Sequence, residues 1–400
     1  MSRSYVRVQD YDNAGFRRIV HFLKLILVLA ILITPGVWGG KGSVSEFPNR
    51  FAPGEVWRDT AGNPIDAHGG GILYHGGVYY WYGEAKRGRT FLPACNKSWG
   101  GTRVDVTGVS CYSSTNLCNW RYEGIVLPAT PRDVQGDLNP INVVERPKVI
   151  YNLKTRKFVM WMHIDSADYS KACVGVAVSS APTGPFQYHG SFRPDAGVWP
   201  LNATETEKEP GRANYVARDF QKGQMARDLT VFVDDDGKAY LFYASEENAT
   251  MHVSLLTDDY LRPAGKYSRI LIGRSMEAPA VFKRDGQYYL IASGCTAWDP
   301  NAARCAVADK IFGPWKELGN PCIGEDTDKT FDAQGTFVFR APGYNNIFIF
   351  MADRWNKWNL ADSRYVWLPL EFGRNDKPVI RWYDSWSPTA IEKRAARTRP

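Results

Sequence analysis

The feature that most restricts this chain is a hairpin that recurs five times. Its clearest copy runs through Asp228-Leu229-Thr230-Val231-Phe232, turns at Asp234-Asp235-Asp236-Gly237, and returns through Ala239-Tyr240-Leu241-Phe242-Tyr243. Asp-Gly between alternating apolar residues is a strong hairpin signal, because glycine accepts the positive φ that a tight turn demands. The same pattern reads Gly71-Ile72-Leu73-Tyr74, His75-Gly76-Gly77, Val78-Tyr79-Tyr80-Trp81, and again Ala280-Val281-Phe282, Arg284-Asp285-Gly286, Tyr288-Tyr289-Leu290-Ile291. Looser copies lie at 148–162 and 336–351, and each copy is followed by a second pair of strands, at 110–126, 174–188, 250–264, 304–317 and 364–385. Five units at a spacing of about 50 to 80 residues predict an all-β, five-bladed β-propeller, each blade a four-stranded antiparallel sheet. A β-sandwich of unrelated hairpins would not repeat the inner hairpin so closely. No linker or change of composition marks a second domain, so residues 46–390 are read as one propeller.

Composition narrows the class of partner. Hydrophobic residues make up 44% and charged residues 23%, enough apolar surface for a large core. Aromatics reach 14%, with 14 Trp and 21 Tyr, an excess that suits stacking on sugar faces as well as filling blades. The net charge of +7 is concentrated at the ends: Arg3, Arg7, Arg17, Arg18 and Lys24 against Asp10 and Asp12, and Lys393, Arg394, Arg397 and Arg399 against Glu392. Each end carries +3, which leaves the middle at +1 with no basic stripe, so nucleic acid is not an expected partner.

Residues 1–45 combine a basic lead, an apolar run from Leu25 to Trp38 and small residues after it, the order of a signal peptide. Counting back through Ile19, Val20, Phe22 and Leu23 gives a longer stretch that fits an uncleaved anchor, so secretion and a Golgi-type membrane tether both stand as expectations. Asn96, Asn202 and Asn248 open N-glycosylation sequons. Seven cysteines without a CxxC pair or zinc-type spacing are read as disulfides with one thiol left over. Residues 391–400 form a basic tail, and a monomer is expected.

In a propeller the opening residues of each first strand converge on one channel. Those openings carry His68 and Gly69, Glu145 and Arg146, Arg227 and Asp228, Glu277, and Asp332 and Gln334. Carboxylates crowded at a channel mouth repel one another, which raises the pKa of at least one and keeps it protonated, the state a general acid needs. Glycoside hydrolysis needs that proton donor and a second group to activate water. Structural salt bridges, Glu145 with Arg146 and Asp228 with Arg227, are the competing reading for single residues. His163 and His252 are read as satisfying local hydrogen bonds.

Seven segments in order, Asp66-Ala67-His68-Gly69-Gly70-Gly71, Trp81-Tyr82-Gly83-Glu84, Glu145-Arg146-Pro147-Lys148, Arg227-Asp228-Leu229-Thr230, Glu277-Ala278-Pro279, Ser293-Gly294-Cys295-Thr296-Ala297-Trp298 and Phe331-Asp332-Ala333-Gln334-Gly335-Thr336, resemble glycoside hydrolase family 43, and more narrowly its exo-β-1,3-galactanase branch. The resemblance covers about residues 48–387. It implies removal of galactose from the non-reducing end of β-1,3-galactan with inversion. Glu277 matches the family's general acid and Asp228 the carboxylate that tunes it. The family's usual Asp base is missing, since this chain reads Ala67-His68-Gly69-Gly70 there, and the branch is thought to pass that role to a Gln, here Gln334, through its imidic tautomer with Glu145 close by. Glu84, Arg146, Tyr169, Asp228 and Thr296 resemble residues that hold sugar hydroxyls, and Trp298 or Trp355 would stack on the sugar. No organic cofactor or catalytic metal is expected, while a structural calcium ion in the channel stays open. Ala333 and Gly335 stand where the branch shows Ser, and a carbohydrate-binding module is not expected. Another family 43 activity, an arabinofuranosidase or xylosidase, and a sugar-binding propeller without catalysis remain the alternatives.

Overall fold

The computed structural model describes residues 49–92, 101–344, 347–373 and 376–391. The leader, the basic tail, Cys95 and the Asn96 sequon lie outside them. Five antiparallel sheets follow one another along the chain, each adding its strands in sequence order. Blade one is His68–His75, Val78–Glu84, Gly108–Ser114 and Arg121–Pro128; blade two is Val143–Asn152, Lys157–Asp165, Cys173–Ser179 and Gln187–Phe192. Blade three runs Leu229–Val233, Ala239–Ser245, Thr250–Leu256 and Pro263–Ile270; blade four runs Met276–Arg284, Gln287–Gly294, Arg304–Ala308 and Lys316–Gly319. Blade five, Gln334–Arg340, Phe348–Arg354, Arg364–Phe372 and Pro378–Arg381, carries a fifth short strand, Cys322–Ile323, paired in parallel with its outer edge.

The aromatic second strands explain why these sheets stand as blades. Leu241 and Tyr243 pack against blade two, whereas Tyr240 and Phe242 pack against blade four. Successive side chains of a strand point to opposite faces, so a strand that is apolar at every position needs a neighbour on both sides. The other blades repeat this. Phe158 and Met160 face blade one while Val159 and Trp161 face blade three, and Tyr289 and Ile291 face blade five while Tyr288 and Leu290 face blade three. Each such side chain stabilises the fold by about 1.5–3 kcal/mol when fully buried. The seam between blades five and one is the most aromatic: Trp81, Trp120, Trp367, Tyr365 and Phe51 meet there, and Phe51 before the first blade pairs with Trp386 after the last.

Three of the five first strands share a kink at their opening. Register slips between His68 and Gly71, between Glu145 and Lys148, and between Glu277 and Ala280. Each slip contains a left-handed residue: Gly69 at φ 58°, Arg146 at 54° and Ala278 at 53°. A bulge of this kind re-aims the neighbouring side chain, and in blades two and four the residue so turned, Glu145 and Glu277, faces the channel. The bulge pairing makes His68, Glu145, Glu277 and Gln334 equivalent in their blades, and places Glu84, His163, Ser293 and Asp353 opposite them.

The disulfide expectation is not met among the described residues, where all six cysteines are free thiols. Cys111 and Cys173 fill one inter-blade core and Cys305 and Cys322 another, packing as small apolar residues. No described helix is long and apolar enough to cross a membrane.

Candidate active site

The blade openings surround a cavity of about 320 Å³ lined by Glu145, Arg146, His163, Asp168, Tyr169, Arg227, Asp228, Asn248, Glu277, Cys295, Ala297, Trp298 and Gln334. Arg146 ties its floor together. One guanidinium nitrogen lies 2.8 Å from Asp228 Oδ2 and donates to Gln334 Oε1 at 2.6 Å, while its backbone N–H donates to Glu84 Oε1 at 2.9 Å. Asp228 also accepts the Ala278 N–H at 3.0 Å, so the bulge that carries Glu277 is fastened to the neighbouring blade.

Glu277 keeps part of its surface open to the cavity, but protein crowds its carboxyl. Loss of water and the adjacent Asp228 charge push its pKa from 4.5 up to about 8, against the pull of Arg146. Gln334 Nε2 donates to Glu277 Oε1 at 3.1 Å and to Ser293 Oγ at 3.0 Å. Its oxygen accepts from Arg146 and, at 2.9 Å, from Trp355 Nε1. Arg and Trp N–H groups can only donate, so they fix the amide orientation and leave Gln334 with all four of its hydrogen-bonding positions used.

Glu145 behaves in the opposite way. Burial would raise its pKa, but hydrogen bonding to His163 and the charges of Lys86, His163 and Arg146 outweigh that and draw it down to about 2. Tyr169 Oη donates to its Oε1 at 2.9 Å, and His163 Nδ1 lies 3.4 Å from Oε2. His163 is buried between two carboxylates, Asp165 standing 3.0 Å from Nε2, and despite the cost of burial these partners raise its pKa to about 9. Lys86 Nζ sits 2.5 Å from Glu84 and 3.9 Å from Glu145, over the rings of Trp298 and Trp355. Burial pushes Glu84 up while Lys86 draws it back, and Lys86 itself is held above its usual value; the close contact makes the ion pair the form present. Glu84, Glu145 and Asp228 each lie against a basic group, Lys86, His163 and Arg146 in turn, whereas Glu277 has no ion-pair partner within 4 Å among the described residues.

Among the described residues Glu145, His163 and Asp228 bring ligand atoms within 4.8 Å of one another. Arg146 and Lys86 already neutralise those carboxylates, so an added divalent cation would stand among fixed positive charges, and the set is a poor fit to calcium.

Of the residues singled out in the sequence, Glu277, Gln334, Glu145, Asp228, Arg146, Tyr169 and Trp298 gather on the cavity wall. Trp355 touches it through Gln334 and lies edge-on to Trp298 at 5.0 Å. Glu84 is buried behind Arg146. Thr296 does not join the wall: its hydroxyl donates to Asp299 O at 2.5 Å and accepts from Asn301. Asp332 is exposed, and Gln334 takes blade five's place in the ring. His68 is turned away, held by Asp353 at 2.9 Å and stacked on Tyr365. His163 satisfies a local hydrogen bond, to Asp165, as expected, and lies on the cavity wall as well, while His252 is buried between Glu246 and Tyr243 as expected. Lys86 was missed altogether. The register offers the missing signal for His163, which is the partner of Glu145 across the hairpin.

The family signature of the glycosyl hydrolases of family 43 matches residues 71–355. A family 43 β-1,3-galactosidase solved with galactodeoxynojirimycin is 46% identical, covering 84% of this chain and 100% of that one, with a TM-score of 0.78. An exo-β-1,3-galactanase from Phanerochaete chrysosporium, solved with β-1,3-galactotriose, is 35% identical over 85% of this chain and 68% of its own, with a TM-score of 0.70. The exo-β-1,3-galactanase from Clostridium thermocellum is 38% identical over 84% and 66%, also at 0.70. A curated β-D-galactofuranosidase from Aspergillus niger is 30% identical over 113 residues, and the match spans 32% of that protein's length. The match across residues 71–355, on a propeller whose blade openings present this acid and its partners, means that the chain belongs to the glycosyl hydrolases of family 43.

Proposed function

We propose that this chain is an exo-acting, inverting glycosidase that releases galactose from the non-reducing end of β-1,3-galactan. The observation that carries the reading is Glu277, a carboxylic acid held near pKa 8 beside an anionic Asp228 in a sugar-sized cavity. The choice of sugar rests on the solved structures of 35–46% identity, which are β-1,3-galactosidases and exo-β-1,3-galactanases.

In the proposed reaction Glu277 gives its proton to the glycosidic oxygen as the bond to the anomeric carbon breaks, and water bonds to that carbon from the opposite face. The water's proton passes to Glu145, the ionised carboxylate on the wall. Held near 2, Glu145 is a weak base, so the transfer comes late, once the attacking water is already bonding to an oxocarbenium-like centre. Gln334 orients Glu277. A direct role for it on water requires the substrate to displace one of its four hydrogen bonds. Trp298 offers an aromatic face, and Arg146, Asp228 and Tyr169 offer polar partners for hydroxyls.

The sign of the measurement is clear. Wild type should release galactose from β-1,3-linked galacto-oligosaccharides with the α-anomer appearing first by NMR, and Glu277→Gln should lower turnover by about 10²–10⁴-fold. Release of arabinose or xylose from aryl glycosides in place of galactose overturns the assignment of the sugar. Binding of galactan without hydrolysis by either protein overturns the assignment of an enzyme. A secretory-pathway location, secreted or tethered, rests on the leader at residues 1–45 alone. Of the sequons expected to be used there, Asn202 holds the Arg269 backbone with its amide and Asn248 lines the cavity, so a glycan on Asn248 would sit in the mouth of the site.

A further inference from the structure

The loop after the second strand of blade five climbs out of the site and returns to the core. Asp353 is 1% exposed, Trp355 is half-buried beside Gln334, Trp358 is 68% exposed, and Leu360 is fully buried again. Trp358 is therefore the tip, three residues and at most about 10 Å from Trp355. The tip is braced on every side. Asn356 Oδ1 accepts the Trp358 N–H at 3.2 Å, Asn356 N–H donates to Ser363 Oγ at 3.1 Å, and Leu360 N–H donates to Thr90 Oγ1 at 3.2 Å. Lys357 Nζ lies 2.6 Å from Asp299 Oδ1, in the segment that supplies Cys295, Ala297 and Trp298 to the cavity wall. The same ammonium stands 5.7 Å from the Trp358 ring centroid.

A single exposed apolar residue ordinarily needs no explanation. This one differs in being the largest side chain, three residues from Trp355 on a loop whose backbone is braced, with the Lys357 ammonium near its ring and Asp299 paired to that ammonium. That surrounding is unsuited to a protein partner, whose docking patch would be broader and apolar at its centre. It suits a pyranose, which lays its C–H face on an indole and turns its hydroxyls toward charged side chains.

We infer that Trp358 is an outlying platform for a sugar of the same glycan chain, beyond those held in the cavity. It gives the enzyme a preference for longer oligosaccharides, and the indole works because the braced loop leaves little entropy to lose on binding. This inference rests on the proposed galactan activity and deepens it by naming a second contact with the polymer.

The test compares wild type, Trp358→Ala and Trp358→Phe on an aryl β-galactoside and on β-1,3-linked galacto-oligosaccharides of increasing length. Trp358→Ala should leave kcat and KM on the aryl galactoside unchanged and raise KM for the longer chains about 3- to 10-fold, with kcat held, as expected for one stacking contact. Trp358→Phe should recover part of the difference. A KM that changes equally at all lengths, or at none, overturns the inference while leaving the galactosidase reading intact. Failure of wild type to cleave any of these substrates overturns the galactosidase reading instead; in that event retention of Glu277→Gln on immobilised galactan, weakened by adding Trp358→Ala, still supports the platform, and retention unchanged by it removes it.

Discussion

Ionising Glu277 would add a carboxylate in a buried place beside Asp228, whose own ion-pair partner is Arg146. Its pKa is raised from 4.5 to about 8 in the folded chain. The stability that depends on its protonated form is therefore complete below about 4.5 and is lost as pH rises through 8. Two consequences separate the acid from a merely structural residue. Turnover should fall as pH passes about 8, with the alkaline limb set by Glu277. Glu277→Gln should also melt progressively higher relative to wild type between pH 5 and pH 9, because the amide never acquires the charge; a gap in Tm that stays constant across that range would count against the assignment. Glu145→Gln and Gln334→Ala should both lower kcat far more than they raise KM, the first by removing the anion that receives water's proton, the second by freeing Glu277. Near-normal kcat in both would take them out of the mechanism. At this scale the sequence was informative where a residue opens a repeat, which is how Glu145, Asp228, Glu277 and Gln334 were found. It was silent on Lys86, whose main chain follows Glu84 past the end of a strand, and on the bond that the Thr296 hydroxyl makes inside its own loop.

The bulged first strand is the element that converts a repeat into a site. The hairpins were legible because their second strands are apolar at nearly every position and buried on both faces, but the bulges were not, since Arg146 and Ala278 adopt a left-handed conformation that their residue types do not favour. Gly69 is the exception that chemistry requires. A Cβ there would lie 2.0 Å from Glu84 Oε1, at φ +58°, whereas Gly76 in the blade-one turn has nearly the same φ, +59°, and nothing within 4 Å. Gly76→Ala should cost only the conformational penalty, about 1–2 kcal/mol, and leave activity untouched. Gly69→Ala pays that penalty and must also displace Glu84, with Lys86 and Arg146 attached to it, so its loss of stability should exceed that of Gly76→Ala and its activity should collapse. Denaturant unfolding of the pair, read beside kcat, isolates the contribution of the bulge. Equal behaviour of the two variants would mean that Glu84 does not support the site.

At the scale of the whole molecule, four of the five inter-blade cores join blades that are neighbours in sequence, while the seam between blades five and one must be closed by residues from opposite ends of the propeller. Phe51 and Trp386 do this. Their backbones exchange hydrogen bonds of 2.7 and 3.0 Å, their rings lie 4.5 Å apart, and Trp386 Nε1 donates to Trp367 O at 2.8 Å. The five blades could be read from the repeat, but this closure could not, because nothing in a local pattern pairs residue 51 with residue 386. Trp386→Ala should cost about 3–5 kcal/mol, the usual loss for a buried Trp, and the damage should be local. Hydrogen exchange should rise first in 51–82 and 364–386, while the second strands of blades two to four keep their protection. Because His68, Tyr365 and Trp355 lie along or beside that seam, galactose release should fail at the temperature where the seam opens, ahead of the loss of β-sheet signal. A variant that unfolds in one step, with exchange rising evenly around the ring, would mean that closure is shared by all five interfaces and that Phe51 and Trp386 hold no special place in it.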